Sequence, residues 1–282
     1  MLFNGEKFAN LTHADLDGIS SYIVLSDCFK EQVSTFKVTG YQKIQLNLEK
    51  LAFNYSNIVI TDLSLSDEDI KYVEDSFKNA VIIDHHKDIE TSCEKLINLD
   101  YCGAVLTAGF CKRFGYKPSA DIRRLLKYTQ DYDCWIHKYP ESRILNFIYW
   151  DMGPFQFEKM YCEGVVEKWK EMPLYNRGLE LEKKVKNEIL AAENYNVEGI
   201  RVIFIENHVS DVSFYFPEDH FIILRSGGKF SLRSKKLELS ALYEELSEYC
   251  SNIGGHKQAG GGTLLDKDNF IKVVECFVEY IK

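Results

Sequence analysis

Three apolar, β-branched stretches in the first third of the chain each run out into aspartate or histidine, and this recurrence constrains the fold more than any other feature. Phe8 to His13 leads into Asp15 and Asp17, Asn57 to Asp62 ends in an aspartate, and Ala80 to Asp84 continues into His85-His86. Helical signals lie between them: Gly18 to Glu31 has helical periodicity, and Ser66 opens an acidic helix start with Glu68 and Asp69. Val33 to Thr39 reads as a further strand. Such alternation predicts a parallel α/β sheet. It also puts the acids outside the carboxyl ends of the strands, where open α/β sheets bind ligands.

Gly103 to Gly115 and Ala120 to Gln130 read as helices, followed by an aromatic-rich region, punctuated by Pro154 and Pro173, for which no element is predicted. Leu181, Val185 and Ile189 recur every fourth position through Arg177 to Asn194, as one face of an amphipathic helix would. After Gly199 the texture becomes β, with strands expected at Arg201–Glu206, Val209–Phe216, Phe221–Arg225 and Lys229–Leu232. A helix from Leu239 to Tyr249, a glycine-rich loop and a last helix from Lys267 to Ile281 complete it. The expected architecture is α/β: a parallel-sheet domain (1–175), a helical connector (176–198) and a smaller α+β domain (199–282).

The net charge of −9 would repel a long polyanion, which disfavours long-duplex nucleic acid as a partner. Clustered carboxylates offer another use for that charge, holding divalent cations that in turn hold a phosphate. The eight cysteines show no C-x-x-C spacing, so they read as buried thiols of a reducing cytoplasm. No apolar run approaches the length of a membrane span, and Met1 to Asn10 lacks an export pattern. A cytoplasmic protein is expected.

Side chains alternate faces along a strand, so His13, Asp15 and Asp17 would converge if strand geometry continued past His13. With Asp62 and Asp84-His85-His86, four carboxylates and three imidazoles gather at one sheet edge. Hard oxygen donors mixed with imidazole suit Mn²⁺, Fe²⁺ or Mg²⁺ better than a thiolate zinc site.

The segments His13-Ala14-Asp15-Leu16-Asp17-Gly18, Ile60-Thr61-Asp62-Leu63-Ser64, Ile83-Asp84-His85-His86 and Tyr132-Asp133-Cys134-Trp135 resemble, in order and spacing, the four metal-site motifs of the DHH phosphoesterase superfamily. The first and fourth look most like the NrnB-like oligoribonuclease (nanoRNase) branch. Ser231-Leu232-Arg233-Ser234 and Gly254-Gly255-His256-Lys257-Gln258-Ala259-Gly260-Gly261 resemble the DHH-associated C-terminal domain. One departure is that the family's G-G-G-H becomes Asn252-Ile253-Gly254-Gly255-His256, and Trp150 to Pro173 has no assignable counterpart.

The resemblance implies two divalent cations, Mn²⁺ first, with Mg²⁺, Fe²⁺ or Co²⁺ as alternatives. One would be held by His13, Asp15 and Asp62, the other by Asp17, Asp62, His85 and an aspartate of the fourth motif. Asp133 fits that last place by the aspartate-x-tryptophan pattern, and Asp131 is the alternative. Asp84 would orient its neighbours and His86 would touch the scissile phosphate or the leaving oxygen. Arg233, Ser234, Gly254, Gly255, His256, Lys257, Gly260 and Gly261 would hold substrate across a cleft between the domains. The implied activity is hydrolysis of short oligonucleotides to mononucleotides, with no membrane partner and compatibly with a homodimer. Alternatives are a RecJ-like single-strand DNA exonuclease, a phosphoesterase of 3′-phosphoadenosine 5′-phosphate or cyclic dinucleotides, and a non-enzymatic nucleotide-sequestering protein.

Overall fold

The computed structural model describes residues 2–162 and 173–282. The chain divides into two compact units, Met1–Glu182 and Lys183–Lys282.

The first unit is built on β1 (Phe8–His13), β2 (Val33–Thr39), β3 (Asn57–Thr61), β4 (Asn79–Asp84) and β5 (Glu94–Ile97). All pair in parallel, in the order β2-β1-β3-β4-β5. Helices α1 (Leu16–Phe29), α2 (Ile44–Ala52) and α3 (Asp67–Ser76) return the chain between strands. After β5 come α4 (Gly103–Lys112), α5 (Ala120–Asp133), α6 (Pro140–Met152) and α7 (Pro154–Cys162).

Period-two alternation sorts the strand side chains onto two cores. Phe8, Val59, Val81 and Ile83 pack with Ile19, Phe110, Leu125 and Ile148 from α1, α4, α5 and α6. Ala9, Leu11, Ile58, Ile60 and Ile82 pack instead with Leu48, Leu51, Ile70 and Val73 from α2 and α3. The charged start of α3 is stabilised by a capping box between Ser66 and Asp69.

The strand order reverses between β1 and β3, so a crevice opens at their carboxyl ends. Polar side chains fasten its floor. Thr12 Oγ1 donates to the carbonyls of Gly18 (2.9 Å) and Thr61 (3.1 Å), and Asn10 Nδ2 donates to Val59 O (2.9 Å). All three of Asn10, Thr12 and Thr61 are buried, so these bonds satisfy groups that water cannot reach.

The second unit has a six-stranded sheet of β6 (Asn194–Val197), β7 (Ile200–Phe204), β8 (His220–Leu224), β9 (Lys229–Ser234), β10 (Cys250–His256) and β11 (Ala259–Leu264). Its order is β10-β11-β9-β8-β7-β6, with β7 and β8 parallel and the other pairs antiparallel. Ile222, Leu232, Leu242 and Phe277 form its core with α9 (Ser240–Leu246) and α10 (Asn269–Ile281).

Several expectations need correction. The connecting helix α8 runs Pro173–Ala191, the division between units falls inside it, and Asn194–Val197 is an edge strand. Val209–Phe214 is a 3-10 helix: His208 enters it with φ 61°, and Val212 turns into the core three residues after Val209. The glycine-rich loop is the β10–β11 hairpin, in which Gly254 pairs with Gly261 and Gly255 with Gly260. A Cβ on Gly260 would lie 2.3 Å from the Tyr243 hydroxyl oxygen, so tight packing accounts for that glycine without any anion. The aromatic-rich region supplies α6 and α7, and its residues 163–172 lie outside the described residues. Among the described residues no helix is long and apolar enough to cross a membrane, and Cys28, Cys93, Cys102, Cys111, Cys134, Cys250 and Cys276 are free.

Gly18 is the tightest contact under the crevice: a Cβ there would sit 2.1 Å from the carbonyl oxygen of His13. Backbone cannot yield by that much, because the same carbonyl end belongs to the sheet. Gly18→Ala is therefore expected to lower the thermal midpoint by about 10 °C or more, the scale of a clash costing several kcal/mol. A midpoint within a degree or two of wild type, read by circular dichroism, would show that the β1–α1 turn is looser than this packing implies.

Candidate metal centre

The site residues are delivered by the ends of elements. His13 closes β1, Asp15 is the N-cap of α1, and Asp17 lies in that helix's first turn. His13 and Asp15 thus meet through a strand-to-helix turn rather than by continued strand alternation, while Asp17 faces the start of α4. Asp15 accepts from Gly18 N (2.9 Å) and from His13 Nδ1 (2.6 Å). Asp17 is buried, and both its oxygens take backbone N–H groups at the start of α4, Gly103 N to Oδ2 (2.6 Å) and Ala104 N to Oδ1 (2.9 Å). These helix N–H groups have no partner of their own helix, which makes them a natural seat for a carboxylate.

Asp62 follows β3 with φ 55°, and its N–H bonds back to Ile83 O (2.9 Å). That left-handed conformation costs an L-residue about 1–2 kcal/mol, and aspartate is among the residues that tolerate it. It aims the carboxylate at the crevice. From β4 come Asp84, then His85 and His86, which turn to different partners. His85 Nε2 lies 3.3 Å from Asp62 Oδ1, 3.4 Å from Asp133 Oδ2 and 3.7 Å from Asp17 Oδ2. His86 Nδ1 donates to Asp84 Oδ1 at 2.7 Å.

Asp133, the last residue of α5, therefore joins the cluster. Asp131 does not: its carboxylate accepts from Lys138 N (2.8 Å), Tyr139 N (3.1 Å) and Ser142 Oγ (2.6 Å), pinning the loop that enters α6. Between these two aspartates, it is Asp133 that the structure brings to the other acids.

Among the described residues, three ligand groupings have donor atoms within 4.8 Å of one another: His13-Asp15-Asp62, Asp62-His85-His86 and His85-Asp133-Cys134. Burial and the neighbouring Asp133 push the Cys134 thiol up to about 12, which keeps it protonated and a poor ligand. Burial also lowers the pKa of His85 despite the acids around it, so its imidazole is held in the neutral form that binds metals. For His13 the balance is reversed, because burial is outweighed by Asp15, Asp17 and Asp84, which raise its pKa.

The acids do not share the strain equally. Burial disfavours charge on Asp15, yet His13 and the Gly18 N–H hold its pKa below the usual range. Burial followed by mutual repulsion raises Asp62 and Asp133 well above it. Asp62 Oδ2 and Asp133 Oδ2 are buried with no hydrogen-bond partner. Two orphaned carboxylate oxygens among oxygen and imidazole donors fit a hard divalent cation, which would supply the missing positive charge.

Sequence reasoning missed three contributors. Tyr41 packs over His13 with ring centroids 5.1 Å apart, and its hydroxyl lies 3.4 Å from His86 Nε2. Gly103 and Ala104 seat Asp17, and the only sign was a glycine opening a helix. Gln130 Oε1 accepts from Cys102 N (2.8 Å), steadying the same turn.

In the second unit, Arg233 Nη1 donates to the carbonyls of Leu232 (2.8 Å) and Gly260 (3.1 Å). Ser234 is buried and its hydroxyl oxygen accepts from Lys236 N (3.2 Å) and Leu237 N (2.8 Å), so it shapes a turn rather than facing a ligand. Gly254, Gly255, Gly260 and Gly261 are strand residues of the hairpin, and Lys257 is exposed at its tip. The side chain of His256 lies outside what the structure describes.

A family profile described as the DHH family, N-terminal domain, matches residues 7–152, just over half of the chain. No curated protein matches in sequence. The fold is similar to RecJ of Thermus thermophilus in complex with Mn²⁺, with a TM-score of 0.63 and 14% identity over 99% of this chain and 52% of that one. The chain thus spans about half the length of that protein. It is similar also to the DHH domain of a protein described as a member of a family of ribosomal proteins, with a TM-score of 0.58 and 14% identity over 99% of this chain and 87% of that one. For an exonuclease RecJ bound to manganese the values are 0.55 and 13% over 98% and 90%. At such identities the likeness is one of fold.

The two aspartates of the fourth motif should separate experimentally. Asp131→Ala is expected to cost about 2–3 kcal/mol of stability, the scale of hydrogen bonds to a charged group, with Mn²⁺ stoichiometry unchanged. Asp133→Asn is expected to lower Mn²⁺ stoichiometry by calorimetry and to shrink the rise in Tm on adding the ion. The reverse pattern would move the ligand to Asp131.

Proposed function

The chain belongs to the DHH family, and from that premise we propose that it is a metal-dependent phosphodiesterase that hydrolyses short single-stranded oligonucleotides. The observation that carries the reading is the crevice at the β1–β3 reversal, where Asp62 and Asp133 each keep a buried carboxylate oxygen without a partner while His86 is held in place by Asp84. Under this proposal His13, Asp15 and Asp62 hold one cation and Asp17, Asp62, His85 and Asp133 a second, with Mn²⁺ the preferred ion. When bound, such a pair activates water near neutral pH and offsets charge developing on phosphoryl oxygens.

The residues around it supply the rest. Asp84 stays ionised: burial opposes its charge, but the bond from His86 lowers its pKa. It therefore accepts the His86 Nδ1 proton and leaves Nε2 as the atom able to take or give a proton at the substrate. The hydroxyl of Tyr41, kept protonated by burial and the nearby carboxylates, lies 3.4 Å from that same Nε2 and helps orient the ring. His86 keeps 18% of its side-chain surface exposed against 5% for His85, so it is the histidine that substrate can meet.

Substrate size follows from charge. A chain of net charge −9 attracts a long polyanion weakly, so affinity must come from cations at the crevice and from local basic patches. Oligomers of about two to five residues are the proposed substrates, with nucleoside monophosphates as products.

Labelled RNA and DNA oligomers of graded length, incubated with Mn²⁺, test the reading. Turnover per molecule should be highest at about two to five residues and fall for longer strands. Absence of hydrolysis at every length overturns the proposal, and faster, processive degradation of strands of about thirty residues replaces it with the RecJ-like alternative. His86→Ala is expected to keep its bound metal and lose about two to four orders of magnitude in kcat, the scale of a group acting in proton transfer or phosphate stabilisation. Loss of metal in that variant would make His86 a ligand instead.

A further inference from the structure

A cavity of about 1080 Å³ lies along α4 and α5 in the first unit. Its wall carries Lys112, Lys117, Arg123, Lys127 and Lys138. All five are exposed, and among the described residues none of them forms an ion pair with a carboxylate. In a chain with this excess of acid, unpaired cations gathered around one hollow are not what an average solvated surface provides. The one carboxylate in the lining, Asp131, is buried, and its oxygens are already taken by Lys138 N, Tyr139 N and Ser142 Oγ.

Apart from Gln130, the remaining lining is aromatic and apolar. Tyr101 is 48% exposed and Ile136 54% exposed, values that leave flat hydrophobic surface open to water. Lys127 Nζ is held 3.6 Å from the centre of the Tyr139 ring, which fixes the direction of that charge. Cations that track a backbone, interleaved with ring faces on which bases stack, are the two elements of single-strand recognition.

Chain connectivity ties the cavity to the acid–histidine cluster. Tyr101 stands two residues before Gly103, whose N–H bonds Asp17, and Ile136 three residues after Asp133. At about 3.8 Å per step their Cα atoms are within about 8 and 11 Å of those site residues. Gln130 lines the cavity and also bonds Cys102 N, next to Gly103.

We infer that this cavity is a subsite for a single-stranded nucleic acid, taking the phosphates and bases of nucleotides beyond the one at the cluster. The inference rests on the proposed function and adds to it a second anchoring point on the catalytic unit itself. Phosphates would meet Lys117 and Lys127, and a base would stack on Tyr101.

Binding of a fluorescein-labelled five-residue RNA to the full chain, followed by anisotropy with EDTA present so that nothing is hydrolysed, tests it. Removing two phosphate contacts with Lys117→Gln/Lys127→Gln should weaken binding roughly 50-fold at about 50 mM salt and make the slope of log K against log salt shallower by about 1.4. Tyr101→Ala should weaken binding about fivefold or more without altering the slope, because stacking releases no counterion. Lys50→Glu, an equal change of net charge at an exposed position of α2, should leave both quantities unchanged and serves as the control.

Wild-type affinity and slope in the Lys117/Lys127 variant overturn the subsite. So does an equal loss of binding to poly-glutamate with no effect of Tyr101→Ala, which would assign the cavity to an acidic protein segment. Failure of the proposed reaction reads differently: no oligomer would be hydrolysed by wild type with Mn²⁺, whatever these affinities are.

Discussion

Burying several carboxylates in one crevice is costly, and much of the first unit is organised around how that cost is met. Like charges removed from water repel strongly at these separations, so each acid needs donors or protons. Asp17 takes two N–H groups from the start of α4, Asp15 takes Gly18 N and His13, and Asp84 takes His86. Asp62 and Asp133 receive the least, and the repulsion concentrates on them. Backbone N–H groups and histidines thus bond Asp15, Asp17 and Asp84, and the largest deficit of positive charge is left at the two acids beside His85.

That distribution dictates backbone geometry. For Asp17 to be reached from α4, the N-terminus of that helix must come close, and a Cβ on Gly103 would lie 2.9 Å from both Asp17 Oδ2 and Asp62 Cβ. For His13 and Asp15 to meet, β1 must turn into α1 so sharply that only glycine fits at position 18. Asp62 adopts a left-handed conformation for the same purpose. Backbone strain sits at Asp62 and close approach at Gly18 and Gly103, around one cluster that rests on the Asn10–Thr12–Thr61 bonds and the two cores beneath.

What was legible in the sequence follows from which signals are local. Runs such as Ile58-Val59-Ile60 declare a buried strand by composition, and acids at three such ends declare a site. Asp133 and Asp131 could not be separated that way, because both lie in the last turn of one helix and only the donors of Lys138, Tyr139 and Ser142 decide between them. The Val209 segment reads as a strand because apolar residues are frequent, whereas its turn of three residues is set by contacts with the core. Gly260 in the β10–β11 hairpin reads as part of an anion loop, whereas Tyr243 occupies the space a Cβ there would need. In each case a residue type with two uses is resolved by a partner outside its own motif.

Net charge is a similar case, and its limits bear on what the chain binds. A value of −9 sums charges that the fold keeps apart, among them the acids at the strand ends and the lysines along α4 and α5 that have no carboxylate partner among the described residues. Screening over about 8–10 Å at physiological salt means a ligand within contact range responds to the local set rather than to the sum. A long strand approaching from solution meets the net negative field first, so its encounter is slowed. On the proposed reading, a short oligomer already at the crevice would meet the neighbouring cations and rings. Under the proposed reading, charge segregation of this kind would favour retention of a small anion over capture of a large one, because Gln130 lines the basic cavity and also bonds the turn that seats Asp17.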